Sequence, residues 1–549
     1  ALCMLTRRFR TCKKMEPFAQ SLATARSRRN VKLFNALMSR EARSGKLDRV
    51  EAAFEALRSL KPPLPPNEFT YGILLNAYTR SGALDRCDGV LASMRRDGVP
   101  VTTVAATTVI KGHVHALDMA SAWAHFDEAE PNIRTVNTML RGCLYVCDLP
   151  GTERLVALAA RHGLAPDQAT RDLAVRAAAQ AFSSKVLQRA LDAHAPEAGA
   201  TALSPAAQVD AAAALALSGK FNRAAKVLRL VEEAAAAAPA AADGPSKAAQ
   251  GELSMLRASV AGIRAFLERP DRDDACREFS AAAVRRYPPV VAAGGAASAE
   301  RVSWNDGAAP LFAAVRPVKL EVGAGTGDWV VKQAEAEGNA ANWVAVELRC
   351  DRSLMIHAKG AMRRLHNLAV LAGDAHGILR DALPSRGVAE VHVNFPQPPQ
   401  WEGSEAHLVN MEFLREAHRC LVPGGAFLLT TDNERLCAAV AKRLTEDEWL
   451  RARWEPALVM SAPYYRAHEK GVKGHASAFD DLWAARGFAR RYQCRFTTRR
   501  RVREAAAAVA PVEEAAEGEE GDGGAKRRRK ETSRQRKKRR ARERAEEEV

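Results

Sequence analysis

Glu321, Gly323, Gly325 and Gly327 stand at every second position in the stretch KLEVGAGTGDWVV, residues 319–331. Apolar residues precede the glycines and a helix-forming run follows them. The stretch therefore reads as strand, turn and helix. Glycine permits backbone conformations closed to other residues and lets a ligand come close to the main chain. A turn that opens a helix presents unpaired amides and the positive end of the helix dipole, which suits a nucleotide-like cofactor. The three glycines alone fit a nicotinamide dinucleotide and S-adenosylmethionine (SAM) equally well.

Four further features separate the two. Glu321 turns the stretch into E-x-G-x-G-x-G, which is similar to the pattern of SAM methyltransferases, and an acid there can meet the ammonium of the cofactor's amino-acid end. Glu347 closes WVAVEL and can accept from both ribose hydroxyls. Asp374, with Ala375 after it in LAGDA, follows a third strand and is placed to contact the adenine region. LVPGGAFLLTTDN gives a helix end, a Pro-Gly-Gly turn and a fifth strand. One architecture satisfies all four, so SAM is the expected cofactor.

The elements that must position these residues alternate. Apolar runs at 318–323, 342–347, 368–373, 388–395 and 425–431 are separated by helical stretches. Such alternation predicts a doubly wound α/β domain with a parallel sheet, set at residues 301–504, whose ligand lies at the carboxyl ends of the strands. Taken together, VKLEVGAGTGDWV, WVAVEL, LAGDA, VHVNFPQPP and EFLREAHRCLVPGGAFLLTTDN resemble the tRNA (guanine-N7)-methyltransferase family. The match covers residues 318–435, and SAFDDLWAARGFARRY (477–492) resembles the C-terminal strand region of plant-like members.

That resemblance implies methyl transfer from SAM to guanine N7 in tRNA. The candidate catalytic set is Asn394, Gln397 and Asp432, of which Asp432, in TTDN, stands where the family's acid contacts the substrate. One departure stands out. Family members carry an acid after NFP, where this chain has Gln397, and their following basic stretch is replaced here by PPQWEGSEAHL. Two readings compete: a divergent active branch, or a non-catalytic RNA-binding protein that keeps the domain as a scaffold. Guanine N7 is a lone pair with no proton to remove, so alignment and desolvation matter more than a general base. Asn394 and Gln397 offer amide oxygens. Asp432 could accept from guanine N1–H and N2–H, or could cap a helix starting near Asn433. His376 and His407 read as exposed loop histidines. No metal site is expected.

The first half follows a different rule. LFNALMSREARSGKLDRVEAAFEAL and TYGILLNAYTRSGALDRCDGVLASM align, with Tyr71 lying 37 residues after Phe34. Leu37 matches Leu74, Leu47 matches Leu84, and Phe54 matches Leu91. Each unit is two amphipathic helices around a Ser-Gly turn, which bury their apolar faces only by stacking on neighbours. The unit resembles a pentatricopeptide (PPR) repeat; tetratricopeptide repeats fit its aromatic and alanine positions less well. Repeats fall at 31–67, 68–102, 103–132 and 133–167, with degenerate helical repeats over 168–285. Within these, Ser218–Glu233 resembles the second helix of one more repeat, and 231–247 reads as a loose loop.

In that family the fifth and last residues of a repeat contact an RNA base. The resemblance therefore pairs Asn35 with Asn67, Gly72 with Thr102, Thr107 with Asn132, and Asn137 with Asp167. The alternative is a protein-binding scaffold. The fold class expected is thus multidomain: an N-terminal all-α helical-repeat solenoid joined by a linker at 286–300 to a C-terminal α/β Rossmann-like SAM methyltransferase domain.

Charge gathers at the ends. Of a net +17, residues 1–30 hold eight Lys/Arg against one acid, and 526–549 hold thirteen against five, leaving a nearly neutral middle. Basic arms of this kind meet nucleic acid or an import receptor. Residues 1–30 resemble a transit-like leader, which with the repeats points to a plastid or mitochondrion. The tail 505–549 reads as disordered, and its KRRRK and RKKRR resemble a bipartite nuclear signal. The ten cysteines form no C-x-x-C pair and read as reduced thiols in an intracellular compartment. With no run of 18 apolar residues, no transmembrane helix and no membrane partner are expected. RNA is the expected partner.

Overall fold

The computed structural model describes residues 17–193, 203–237, 247–279, 284–286, 302–304, 310–397, 407–460 and 492–499. The tail, most of the leader, residues 287–300 of the linker, PPQWEGSEA from Pro398 to Ala406 in the replaced stretch, and the 477–491 stretch lie outside them. Residues 1–500 form one compact unit.

The helices pair as the repeat pattern requires: α2 (Val31–Arg43) with α3 (Leu47–Arg58), α4 (Glu68–Ser81) with α5 (Cys87–Arg96), α6 (Thr103–His115) with α7 (Met119–Glu128), and α8 (Ile133–Val146) with α9 (Leu149–Arg161). Two more pairs continue the array, α10 (Gln168–Ala179) with α11 (Ser184–Ala193) and α12 (Pro205–Leu217) with α13 (Phe221–Ala237). The first helices of successive pairs stack on one another from α2 to α12. Their starts share one device. Asn30, Asn67, Thr102, Asn132, Asp167 and Ser204 each place a side-chain oxygen on a backbone amide of the first helical turn, a cap worth about 1 kcal/mol each. Phe34, Tyr71, Leu37, Leu74, Phe54 and Leu91 are all buried between helices.

Three expectations change. Residues 17–28, inside the stretch read as a leader, form a helix, α1, whose Phe18 and Leu22 pack against the first repeats. Residues 231–237, read as a loop, continue α13, because alanine favours helix even where no pattern marks it. Arg286, placed in the linker, belongs with Arg285 to a strand, β1. Between α13 and β1 run α14 (Lys247–Glu268) and α15 (Arg272–Glu278).

The second half is an eight-stranded sheet: β2 (Val318–Val322), β3 (Asn342–Glu347), β4 (Leu368–Ala372), β5 (Val388–Asn394), β6 (Leu421–Thr431), β7 (Trp454–Met460) and β8 (Tyr492–Thr498) join β1 in the order β1-β4-β3-β2-β5-β6-β8-β7. The strands from β1 to β6 run parallel, and β8 and β7 add antiparallel pairs at the far edge. The Pro-Gly-Gly segment lies within β6, which pairs Leu421 with Val388 and then bulges before Ala426 meets Glu390. α16 (Asp328–Glu337) follows β2, α17 (Cys350–Arg363) follows β3, and the short turn α18 (Ala375–Gly377) follows β4. α19 (Met411–Cys420) and α20 (Glu434–Glu446) flank β6.

The sheet is buried on both faces, as a parallel sheet must be. Val344 and Val346 face the core shared with α19 and α20, while Trp343 and Ala345 face α16 and α17. Side chains alternate along a strand. Glu321, between Leu320 and Val322 of the first core, thus shares the α16 face with Glu347. The strand order reverses between β3 and β5 about β2, and the carboxyl ends at such a reversal are where open α/β sheets take their ligands.

Candidate functional site

Gly323, Gly325 and Gly327 all have positive φ, at 74°, 58° and 74°. They differ in why. A Cβ on Gly325 would meet nothing within 4 Å, and one on Gly323 would touch only Leu408 at 3.6 Å, so the main chain there faces open space. A Cβ on Gly327 would lie 2.4 Å from Ile356 Cγ1. Gly327 is therefore the packing glycine, which lets α16 start hard against α17. Gly327→Ala should cost about 1–3 kcal/mol through overpacking and backbone strain, read as a lowered denaturation midpoint; an unchanged midpoint would contradict the close approach.

Glu347 ends β3 and closes the turn. Its carboxylate accepts from the Gly325 amide at 2.8 Å and the Arg349 amide at 3.2 Å, with Arg352 at 3.7 Å. Burial pushes its carboxyl above the usual range, against the pull of these neighbours. Glu321 is 3% exposed. Asn394 Nδ2, at the end of β5, donates to its Oε1 at 2.9 Å, while its buried Oε2 has no hydrogen-bond partner among the described residues. Burial raises the Glu321 carboxyl to about 8. An unpartnered buried carboxylate oxygen is costly unless a cation comes to it. The open main chain at Gly325, together with that oxygen, fits the residues to SAM, whose amino-acid end carries an ammonium.

Asp374 caps α18, accepting from the Gly377 amide at 2.9 Å. Burial would raise its carboxyl, but His376 and the Gly377 and His376 amides hold it below its ordinary value. Ala375 is buried beside it. His376 is not an exposed loop residue: it is half-buried, with Nε2 at 3.1 Å from Asn410 Oδ1, the cap of α19. Asp374 raises its imidazole. His407 is likewise partly covered.

Asn394 pairs with Thr430 across β5 and β6. Gln397 lies three residues past Asn394 and Asp432 two past Thr430, so topology gathers all three at adjacent strand ends. Gln397 and Asp432 are both exposed. Between Asn394 and Gln397, Phe395 sits at φ 49°, a left-handed conformation that is strained for a bulky side chain and typical of functional turns. The two roles offered for Asp432 separate here. Asn433, not Asp432, caps α20, accepting from the Leu436 amide at 2.9 Å.

In the solenoid, two of the four expected pairs meet directly, and they do so as parts of the helix caps. Asn35 Nδ2 donates to Asn67 Oδ1 at 3.3 Å, and Asn137 Nδ2 reaches Asp167 at 3.0 and 3.1 Å. Thr107 meets Asn132 only through Thr135, whose hydroxyl lies 2.9 Å from Thr107 and 3.1 Å from Asn132. Thr102 caps α6 opposite Gly72, which has no side chain. Asn137 is buried, its oxygen already accepting from Thr170 at 2.7 Å. Phe69 and Val104, near the starts of α4 and α6, are 77% and 76% exposed. The repeat pattern signals them, since large apolar residues follow Glu68 and Thr103 where a buried face is not due.

A family described as "Putative methyltransferase" matches residues 315–473, and the PPR repeat matches residues 69–99. The tRNA (guanine-N(7)-)-methyltransferase of Chlamydia abortus is 30% identical over 190 residues, covering 34% of this chain and 78% of that protein. This chain belongs to that methyltransferase family. The Chlamydia felis relative of the same name is 33% identical over 186 residues, covering 34% of this chain and 76% of its own length. The crystal structure of the pentatricopeptide repeat protein PPR10 from maize covers 44% of this chain and 32% of its own, at 20% identity and TM-score 0.33. Membership makes this chain a SAM-dependent methyltransferase with helical repeats ahead of its enzyme domain. Among the described residues, no helix is long and apolar enough to cross a membrane, and no cluster of ligating side chains could hold a metal.

Proposed function

We propose that this chain transfers a methyl group to N7 of a guanine in tRNA, with the repeats holding the RNA. The observation that carries the reading is the meeting of Glu321 and Glu347 on one glycine turn at the point where the strand order reverses, in a chain of this family. SAM, when bound, supplies an electrophilic methyl on a sulfonium. Glu321 would receive the ammonium, Glu347 the ribose hydroxyls, and Asp374 with Ala375 would lie along the adenine.

Guanine N7 presents a lone pair, so no side chain has to take a proton from it. Asp432 would accept from guanine N1–H and N2–H and so fix the plane of the base. Asn394 and Gln397 would turn amide oxygens toward positive charge as it develops on the guanine, an electrostatic contribution that needs preorganised dipoles more than a base. Asn394 is preorganised by its bond to Glu321.

The RNA reading of the solenoid is supported by polar pairs along one row of stacked helices and by exposed Phe69 and Val104 beside them. Exposed aromatic and apolar faces next to amides suit stacked, splayed-out bases. Gln397 and the replaced basic stretch favour the second reading, an RNA-binding scaffold without catalysis. Incubation with labelled SAM and total small RNA, followed by mapping of N7-methylguanine, decides between them. Label at N7 of tRNA guanine is the expected result. Binding of SAM and tRNA without any methyl product favours the scaffold, and methylation of another base atom overturns the substrate.

A further inference from the structure

We propose that Lys359 is a positioning residue of the SAM turn and that the helical repeats hold it in register, which makes the solenoid a working part of the cofactor site. The inference rests on reading Gly323–Gly327 as the SAM cradle. That turn has little side chain of its own to hold it. Glu347 fixes it at the Gly325 amide. Lys359 fixes the other end: its ammonium donates to the Thr326 carbonyl at 2.9 Å and pairs with Asp328 Oδ1 at 2.7 Å. Thr326 Oγ1 adds a bond to Asp328 Oδ2 at 2.6 Å. Asp328 opens α16, where a carboxylate complements the helix dipole. Burial would raise its carboxyl, but Lys359, the Thr326 hydroxyl and Lys332 together hold it below its ordinary value.

Lys359 belongs to α17, which the repeats and the helices α14 and α15 behind them hold from one end to the other. Near its start, the Arg349 guanidinium lies 3.5 Å from the Tyr145 ring centre in α8, a cation–π contact of useful strength when partly desolvated. In its middle, Ala358 and Met362 share one apolar cluster with Val175 and Ala178 of α10, Leu215 of α12 and Ile263 of α14. The His357 ring stacks on Phe279 at 5.1 Å. Just past its end, Arg364 pairs with Glu278 at 2.6 Å and Asp271 at 3.3 Å.

Between these contacts the two halves enclose a cavity of ≈ 480 Å³. Lys359, Thr326 and Asp328 line one side of it, and Arg176 and Asp210 of the repeats line the other. The ammonium of Lys359 is thus held by its two acceptors and by the placing of α17, not by close packing around it. A shift of α17 on the repeats carries Lys359 away from the turn, and Arg349 and Arg352 away from Glu347.

Titration calorimetry of the full chain with SAM tests this. K359M keeps the length of the side chain and should raise Kd about 10-fold or more, the loss expected of a hydrogen bond to a charged group. Binding stoichiometry should stay at the wild-type value, since a folding defect would lower the bound fraction instead. K359R should recover most of the affinity. Y145A, in the repeats, should raise Kd in the same direction by about 3-fold through Arg349. G325V, which puts a branched side chain into the cradle at positive φ, is the control. If G325V abolishes binding while K359M binds like wild type, Lys359 has no positioning role and the proposal falls alone. If G325V binds like wild type, the cradle reading falls with it. Should K359M not fold, an unchanged Kd for Y145A overturns the proposal.

Discussion

Asp432→Asn should slow methyl transfer to tRNA by about 10–150-fold, the range for losing one hydrogen bond to a charged group, while SAM affinity stays at the wild-type value. The reason is its setting. Asp432 is exposed at the end of β6, and Asn433 has taken over the capping of α20. Among the described residues its carboxylate makes no hydrogen bond or ion pair that the substitution could damage. An amide at that place keeps the shape but turns a donor toward the N1–H and N2–H donors of guanine. Single-turnover methylation beside calorimetry of SAM binding separates the two quantities. A wild-type rate for Asp432→Asn would remove Asp432 from the substrate site. Gln397→Asp is the companion variant: it restores the family's acid beside a developing cation and should hold or raise the rate.

Glu321 gives the second large effect, in pH dependence. Its carboxyl is pushed up to about 8 by burial, with Asn394 and the Val330 amide opposing, so the ligand-free protein holds it largely protonated at neutral pH. An ammonium beside it favours the carboxylate and lowers that value. SAM binding below pH 8 should therefore release a proton, and affinity should rise by up to about tenfold per pH unit before levelling above pH 8. The sign for folding is the reverse. The folded state binds this proton more tightly than the unfolded chain, so the stability it confers is complete below the unfolded value and is lost as pH rises toward 8. Glu321→Gln should flatten both slopes, weaken SAM by about 1.5–3 kcal/mol and melt above wild type at pH 8 without ligand. Equal proton release from wild type and Glu321→Gln, measured in buffers of different ionisation enthalpy, would place the titrating group elsewhere.

The parts of this molecule that were legible in the sequence are those written in local pattern. The apolar runs of β2 to β5 lie in near-continuous hydrophobic sequence because both faces of the sheet are covered, and the runs match the strands to within a residue at each end. The helix pairs from α2 to α9 carry aromatic and leucine spacing that repeats. Pairs α10 with α11 and α12 with α13 bury mostly alanine, and alanine marks no face. Glu321 and Glu347 were visible because an acid beside a glycine turn is a chemical signature. What Glu321 lacks, a partner for Oε2, was not visible, since it depends on which neighbours the fold brings near. The contacts of Arg349 with Tyr145 and of Arg364 with Glu278 join residues far apart in the chain, and no periodicity announces them. The roles of Asn67, Asn132 and Asp167 as caps were open to a local reading, because each precedes a helix by one residue.

The seating of Ala358 and Met362 among the alanines of α10 and α12 bears on how the array stops. A stack of identical units always ends on an apolar face that has no next unit, and repeat proteins close it with a specialised terminal helix bearing a polar outer side. Here α14, α15 and α17 cover that last face, and β1 crosses over to lie against β4. The methyltransferase is thus the terminus of the superhelix as well as its cargo. Units could be gained or lost in the course of descent among α2 to α5 without touching this seam, whereas a change at α8 or α12 would disturb the enzyme's seat.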